Sequence, residues 1–226
     1  MSFALFDLDD TLVDAKAALR AWSVDFAAEF VSGSYVSGID DTASDVFALV
    51  DGAANWPGFV ADARARYGIS APDEELMAHV AAVYPGKFVL EQQVRSGLTE
   101  LRAAGWRLGV VTNGSTLVQQ AKVDSVGLRP HLDAVVDSEA AGHRKPDRRI
   151  FQIAADELGV ELGPAGWMVG DRLDKDVAGG AAVGLRTIWI SQGEPLPAGS
   201  TPPTHIAASI TEAFAIVQAS GPPHQP

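Results

Sequence analysis

Five short apolar runs, each closed by a polar residue and separated by stretches of helical pattern, constrain this chain more than any other feature. The runs are Phe3-Ala4-Leu5-Phe6, Arg107 to Thr112, Asp133 to Asp137, Trp167 to Gly170 and Arg186 to Ile190. Runs this short and this continuous suit strands buried on both faces. Strands that alternate with helices predict an α/β fold built on a parallel sheet. Helices are expected at Gly97–Ala104 with Gly105 as cap, Ser115–Val126, Pro146–Leu158, Ala178–Val183, and after Ser209, where Ser209 and Glu212 read as a capping box. Ser191–Pro203 reads as a loop and residues 221–226 as a flexible tail.

Between the first two strands lies a block of different texture, Ala15 to about Gln93. Its apolar residues fall at helical spacings, as in Leu19, Trp22, Phe26 and Phe30. Breaks occur at Gly33-Ser34, Gly38, Gly52, Trp56-Pro57-Gly58, Gly68 and Pro85-Gly86. About four helices and no strand are expected there. The organisation is therefore a catalytic core over 1–14 and 94–220, with a helical insertion over 15–93.

Ligands on parallel sheets bind beyond the carboxyl ends of the strands. The residues at those ends are Asp7-Leu8-Asp9-Asp10-Thr11, Thr112-Asn113-Gly114, Asp137-Ser138-Glu139 and the stretch from Asp171 to Asp176. His143-Arg144-Lys145-Pro146 precedes a helix on the same rim. Grouped carboxylates repel one another unless a cation sits among them. Asp7, Asp9 and Asp171 offer the hard oxygen ligands that suit Mg²⁺. Thr112 and Asn113 offer a hydroxyl and an early-helix N–H to phosphate oxygens, and Lys145 a point positive charge. Such an assembly suits phosphoryl transfer, with a carboxylate free to attack phosphorus. Taken singly, each group has a structural use as a turn, a helix cap or a solvated helix start. Their order along one rim is what argues for chemistry.

Composition narrows the partners. The net charge is −12, from 29 acids against 17 bases, which disfavours nucleic acid and anionic membrane surfaces. There is no cysteine, so thiolate chemistry and disulfides are excluded. No apolar run approaches a membrane span, and the N-terminus carries no basic leader, so a cytoplasmic protein is expected.

The segment Asp7-Leu8-Asp9-Asp10-Thr11-Leu12-Val13 resembles the first motif of the haloacid dehalogenase-like hydrolase superfamily. Thr112-Asn113 resembles its second motif, Lys145-Pro146-Asp147 its third, and Gly170-Asp171-Arg172-Leu173-Asp174-Lys175-Asp176 its fourth. The helical insertion is similar to the family's first type of cap. The resemblance implies a Rossmann-like core and a Mg²⁺-dependent phosphatase, similar to the phosphoglycolate phosphatase branch. It implies Asp7 as nucleophile and Asp9 as general acid and base. It further implies Thr112 and Lys145 as phosphate binders, and Asp7, the Asp9 carbonyl and Asp171 as metal ligands. Asp176 corresponds to the acid behind the metal or Lys145; Asp174 has no counterpart. Asp9 disfavours a dehalogenase, since the dehalogenases lack that second acid. The cap holds eleven acids against five bases, a poor match for the doubly phosphorylated intermediate of a phosphomutase. Mutase, dehalogenase and a non-enzymatic phosphate- or metal-binding module stay as alternatives. Two chain crossings between core and insertion suggest a hinge that closes over a small phosphorylated metabolite. Lys16 and Arg20, just after the first motif and four residues apart, are the insertion's candidate substrate contacts.

Overall fold

The computed structural model describes residues 2–31 and 38–221. It divides into two compact units. One holds the chain up to Val13 and from Leu90 onward; the other runs Asp14–Val89.

The first unit is built on a six-stranded sheet. Its strands are β1 (Phe3–Phe6), β2 (Arg107–Thr112), β3 (Ala134–Asp137), β4 (Gly166–Gly170), β5 (Arg186–Ile190) and β6 (His205–Ala207). The order is β3-β2-β1-β4-β5-β6, and every neighbouring pair is parallel. Strand order reverses at β1 and β4, which is where such sheets open a crevice for ligands. The register brings their ends level: Phe6 lies opposite both Val110 and Val169, so the residues after β1, β2 and β4 meet at one edge. Phe3, Leu5, Val111, Met168, Ile150, Phe151 and Leu158 are buried together beneath that edge and fix the strands in place.

Five expected strands form, and β6 is a sixth. It has three residues, two of them exposed, and it follows a loop rich in proline and glycine. A strand so short shows no periodicity, and only its pairing with β5 defines it. The helix α5 (Gln92–Ala103) begins five residues before Gly97, the expected start. Gly97 lies inside it, because the Phe214 ring sits where a Cβ would be. The helix α6 (Thr116–Ser125) is capped by the Ser115 hydroxyl. A four-residue helix, α7 (Ser138–Ala141), follows β3. The helix α8 spans Arg148–Leu158 rather than starting at Pro146. Asp147 caps it, and Pro146 stands outside, after a cis peptide bond. A π-helical turn, Leu173–Val177, precedes α9 (Ala178–Ala182). The last helix, α10 (Ile210–Ala219), has Ser209 as its N-cap, and Glu212 accepts a hydrogen bond from the Ala208 N–H.

The second unit contains α1 (Ala15–Phe30), α2 (Ile39–Gly52), α3 (Trp56–Tyr67) and α4 (Asp73–Val83), closed by a 3₁₀ turn at Tyr84–Lys87. No strand occurs among its described residues. Asp14 and Asn55 cap α1 and α3 with their side chains. Its centre is Trp22, fully buried, with the rings of Phe26, Trp56, Phe59, His79 and Tyr84 all within 6.2 Å. The break expected at Gly33-Ser34 and the tail beyond Gly221 lie outside the described residues. Among those described, no helix is long and apolar enough to cross a membrane.

Candidate active site

Asp7 is the first residue beyond β1, and its N–H still donates to the Val169 carbonyl at 2.9 Å, which extends the sheet to the catalytic edge. Its Oδ1 accepts from the Leu8 N–H at 2.8 Å and lies 2.7 Å from Lys145 Nζ. The same ammonium lies 2.7 Å from Asp176 Oδ1. The side chains of Lys145 and Asp176 are 1% and 0% exposed. A buried lysine needs such company, because each ion would otherwise lose its hydration uncompensated.

The lysine is also aimed by its main chain. The Asn113 amide clamps it from both sides: Lys145 N–H donates to Oδ1 at 2.8 Å, and Nδ2 donates to the Lys145 carbonyl at 3.1 Å. Asn113 thus spends its side chain on holding Lys145. Asp171 follows β4, and its carbonyl accepts from the Trp189 indole at 2.8 Å. Asp176 reaches back from the π-helical turn to accept from the Arg172 N–H at 3.0 Å. Gly170 makes that return possible: a Cβ there would come within 2.2 Å of the Asp176 carboxylate.

Carboxylate oxygens of Asp7, Asp171 and Asp176 all lie within 4.8 Å of one another. Burial pushes the Asp7 carboxyl up to about 7, against the pull of Lys145, with Asp176 and Asp9 adding to the rise. Burial likewise pushes Asp171 up to about 6, helped by Asp176 and Asp10. Lys145 goes the other way from a simple buried amine. Burial would lower it, but Asp7 and Asp176 hold it above its ordinary value. Three acids around one ammonium leave the cluster short of positive charge. Hard oxygen donors with that deficit fit a divalent ion such as Mg²⁺.

Asp9 has partners of its own on α6. Both its oxygens accept from Lys122 Nζ, at 2.8 and 2.9 Å, and Oδ2 also accepts from Gln119 Nε2 at 3.1 Å. Asp7, Asp9, Thr112, Asn113, Lys145 and Asp171 share the wall of one cavity of about 180 Å³ with Asp10, Arg172 and Lys175. Sites that enclose a whole ligand usually run to about 300–1,000 Å³. This one has room for a phosphate-sized group.

Residues 1–184 match the family model for haloacid dehalogenase-like hydrolases. The chain belongs to that family. It is 28% identical over 193 residues to a glyceraldehyde 3-phosphate phosphatase of Pyrococcus abyssi, covering 84% of this chain and 81% of that one. It is 37% identical over 131 residues to the N-acylneuraminate-9-phosphatase of Rattus norvegicus. There the match spans only about half of either chain, 57% and 52%. Among solved structures, a HAD phosphatase from Thermococcus onnurineus superposes with a TM-score of 0.70 at 25% identity, over 96% of this chain and 98% of that one.

In this haloacid dehalogenase-like hydrolase, Asp174 resolves into a surface role: Arg172 Nε lies 3.3 Å from it, and both side chains are exposed. Lys16 and Arg20 belong to the other unit, on α1. The Arg20 guanidinium stacks 4.6 Å over the Phe47 ring, beside a cavity of about 260 Å³ that Asp40 and Ser44 also line. Gln119 and Lys122 belong to none of the sequence motifs. Their signal was available: on α6 they sit three residues apart within a buried face that includes Val118 and Val123. Two polar residues on such a stripe call for partners.

Proposed function

We propose that this hydrolase is a Mg²⁺-dependent phosphatase that cleaves small phosphomonoesters through a phosphoaspartate on Asp7. The supporting observation is the buried ammonium of Lys145 held at 2.7 Å by both Asp7 and Asp176, at the point where strand order reverses. Two relatives, named glyceraldehyde 3-phosphate phosphatase and N-acylneuraminate-9-phosphatase, favour the same reading.

In this reading an Asp7 oxygen attacks phosphorus while the bond from phosphorus to the leaving oxygen breaks. Asp9 gives that oxygen a proton. Asp9 then takes a proton from water, the water oxygen bonds to phosphorus, and the bond from phosphorus to Asp7 breaks. Lys145 and the Thr112 hydroxyl neutralise and orient the phosphate oxygens. Asp7, Asp171 and the carbonyl of Asp9 would hold Mg²⁺, which supplies charge neutralisation at the phosphoryl group and favours an ionised Asp7. Asp176 keeps Lys145 in place. An Asp at position 9 supplies the proton that an alkoxide leaving group needs, which favours phosphoester over carbon–halogen cleavage.

The test is turnover of p-nitrophenyl phosphate with Mg²⁺ and with EDTA, followed by a panel of phosphorylated metabolites. Metal-dependent release of phosphate, and a small phosphoester preferred over phosphopeptides and polynucleotides, is expected. Full activity after exhaustive chelation would overturn the reading.

A further inference from the structure

We propose that Gln119 and Lys122 are positioning residues that set the Asp9 carboxylate for the water-activating half of the reaction. The inference rests on Asp9 being the acid and base of the proposed phosphatase.

Four observations converge. Lys122 Nζ holds both oxygens of Asp9, at 2.8 and 2.9 Å, which fixes the plane of the carboxylate as well as its position. The Lys122 side chain is only 5% exposed while that of Asp9 is 31% exposed. A lysine that served the fold alone could be replaced there by an apolar residue without the desolvation it now bears. Gln119 is 2% exposed, and its Nε2 donates to Asp9 Oδ2 at 3.1 Å and to Thr112 Oγ1 at 2.6 Å. The amide can be oriented only one way, because its carbonyl would repel the carboxylate. Once Thr112 Oγ1 accepts from Gln119, its own proton points elsewhere, and Thr112 is among the residues that line the cavity. Finally, the chain makes room for this amide. A Cβ on Gly114 would lie 2.6 Å from Gln119 Cγ.

One side chain therefore ties the proton-transfer group to the phosphate-binding hydroxyl, and α6 carries both anchors. In the second half-reaction Asp9 must meet a water in line with the Asp7–phosphorus bond. A carboxylate free to rotate would do so in a small share of its rotamers.

The experiment is burst and steady-state kinetics of Lys122→Met and Gln119→Leu with p-nitrophenyl phosphate. Its leaving group departs as p-nitrophenolate without needing a proton, so kcat/KM reports attack by Asp7 and kcat reports hydrolysis of the phosphoenzyme. We expect kcat to fall ~10-fold or more, within the range of general acid–base effects. KM should fall in proportion, kcat/KM should hold, and a burst approaching one equivalent of p-nitrophenol should appear. Gln119→Leu gives the same signature and carries the test should Lys122→Met not fold. An unchanged kcat, or a fall in kcat/KM with no burst, overturns the proposal. Asp9→Asn separates the two readings. If it shows the burst and the α6 variants do not, only the positioning role fails. If Asp9→Asn itself shows no burst, the acid–base assignment of Asp9 fails.

Discussion

The two units of this hydrolase are organised on opposite principles. In the core, polar groups are buried and paired: Lys145 lies between Asp7 and Asp176, and Lys122 holds Asp9. In the helical unit, Asp14–Val89, the centre is aromatic. Trp22 contacts five rings, and one of them, the buried imidazole of His79, has its Nδ1 3.2 Å from Glu29. Buried charges fix direction, since each must meet a specific partner at hydrogen-bond distance. Buried rings fix volume, and many sequences fill the same volume. The core therefore announces its chemistry in its sequence, and the helical unit announces only that it folds.

The sharpest break in that comparison is Asp7→Asn. It keeps the shape of the side chain but removes the attacking charge. We expect kcat to fall by about 10³-fold or more, about 4 kcal/mol in the barrier, with the fold intact by circular dichroism. A well-folded variant with a tenth of wild-type activity would refute Asp7 as nucleophile.

Trp22→Ala is the counterpart in the helical unit. Removing a fully buried indole costs about 3–4 kcal/mol. Hydrogen exchange should rise sharply across α1, α3 and α4, while the protection of β1, β2 and β4 stays near wild type. Equal loss in both units would show that they unfold together.

The units should also answer to pH with opposite signs. Asp7 and Asp171 titrate higher in the fold than in the unfolded chain, near 7 and 6. Without metal, the stability they confer is present at low pH and is lost as pH rises from about 4 to 7. Burial lowers His79, so its contribution is present above about 6.5 and is lost as pH falls below that value. In EDTA, hydrogen exchange should show the core weakening between pH 5 and 8 by about 1–3 kcal/mol and the helical unit strengthening. Mg²⁺ should restore the core at pH 8 and leave the helical unit alone. Weakening of both units in the same direction would remove the contrast.

The smallest effect is expected at Arg20. Its stacking on Phe47 is worth about 0.5–1 kcal/mol, so Arg20→Ala should lower the melting temperature slightly and leave kcat unchanged. A several-fold rise in KM would add substrate binding to its packing role.

The parts whose cause is local are written in the chain alone. Continuous apolar runs became five of the six strands, and Asp7, Thr112, Lys145 and Asp171 fell at strand ends or beside a helix start, where their neighbours in the chain put them. The sequence pattern puts Pro146 at the opening of α8, yet Asp147 caps that helix and Asn113, 32 residues away, clamps Lys145. β6 exists only because β5 offers it hydrogen bonds. The bracket on Asp9 joins residues 110 and 113 positions apart, and the return of Asp176 depends on the missing Cβ of Gly170. A sequence pattern records which faces are apolar and where the backbone turns. It does not record which distant donor reaches a given carboxylate, because that distance is set only when the sheet and its helices have packed.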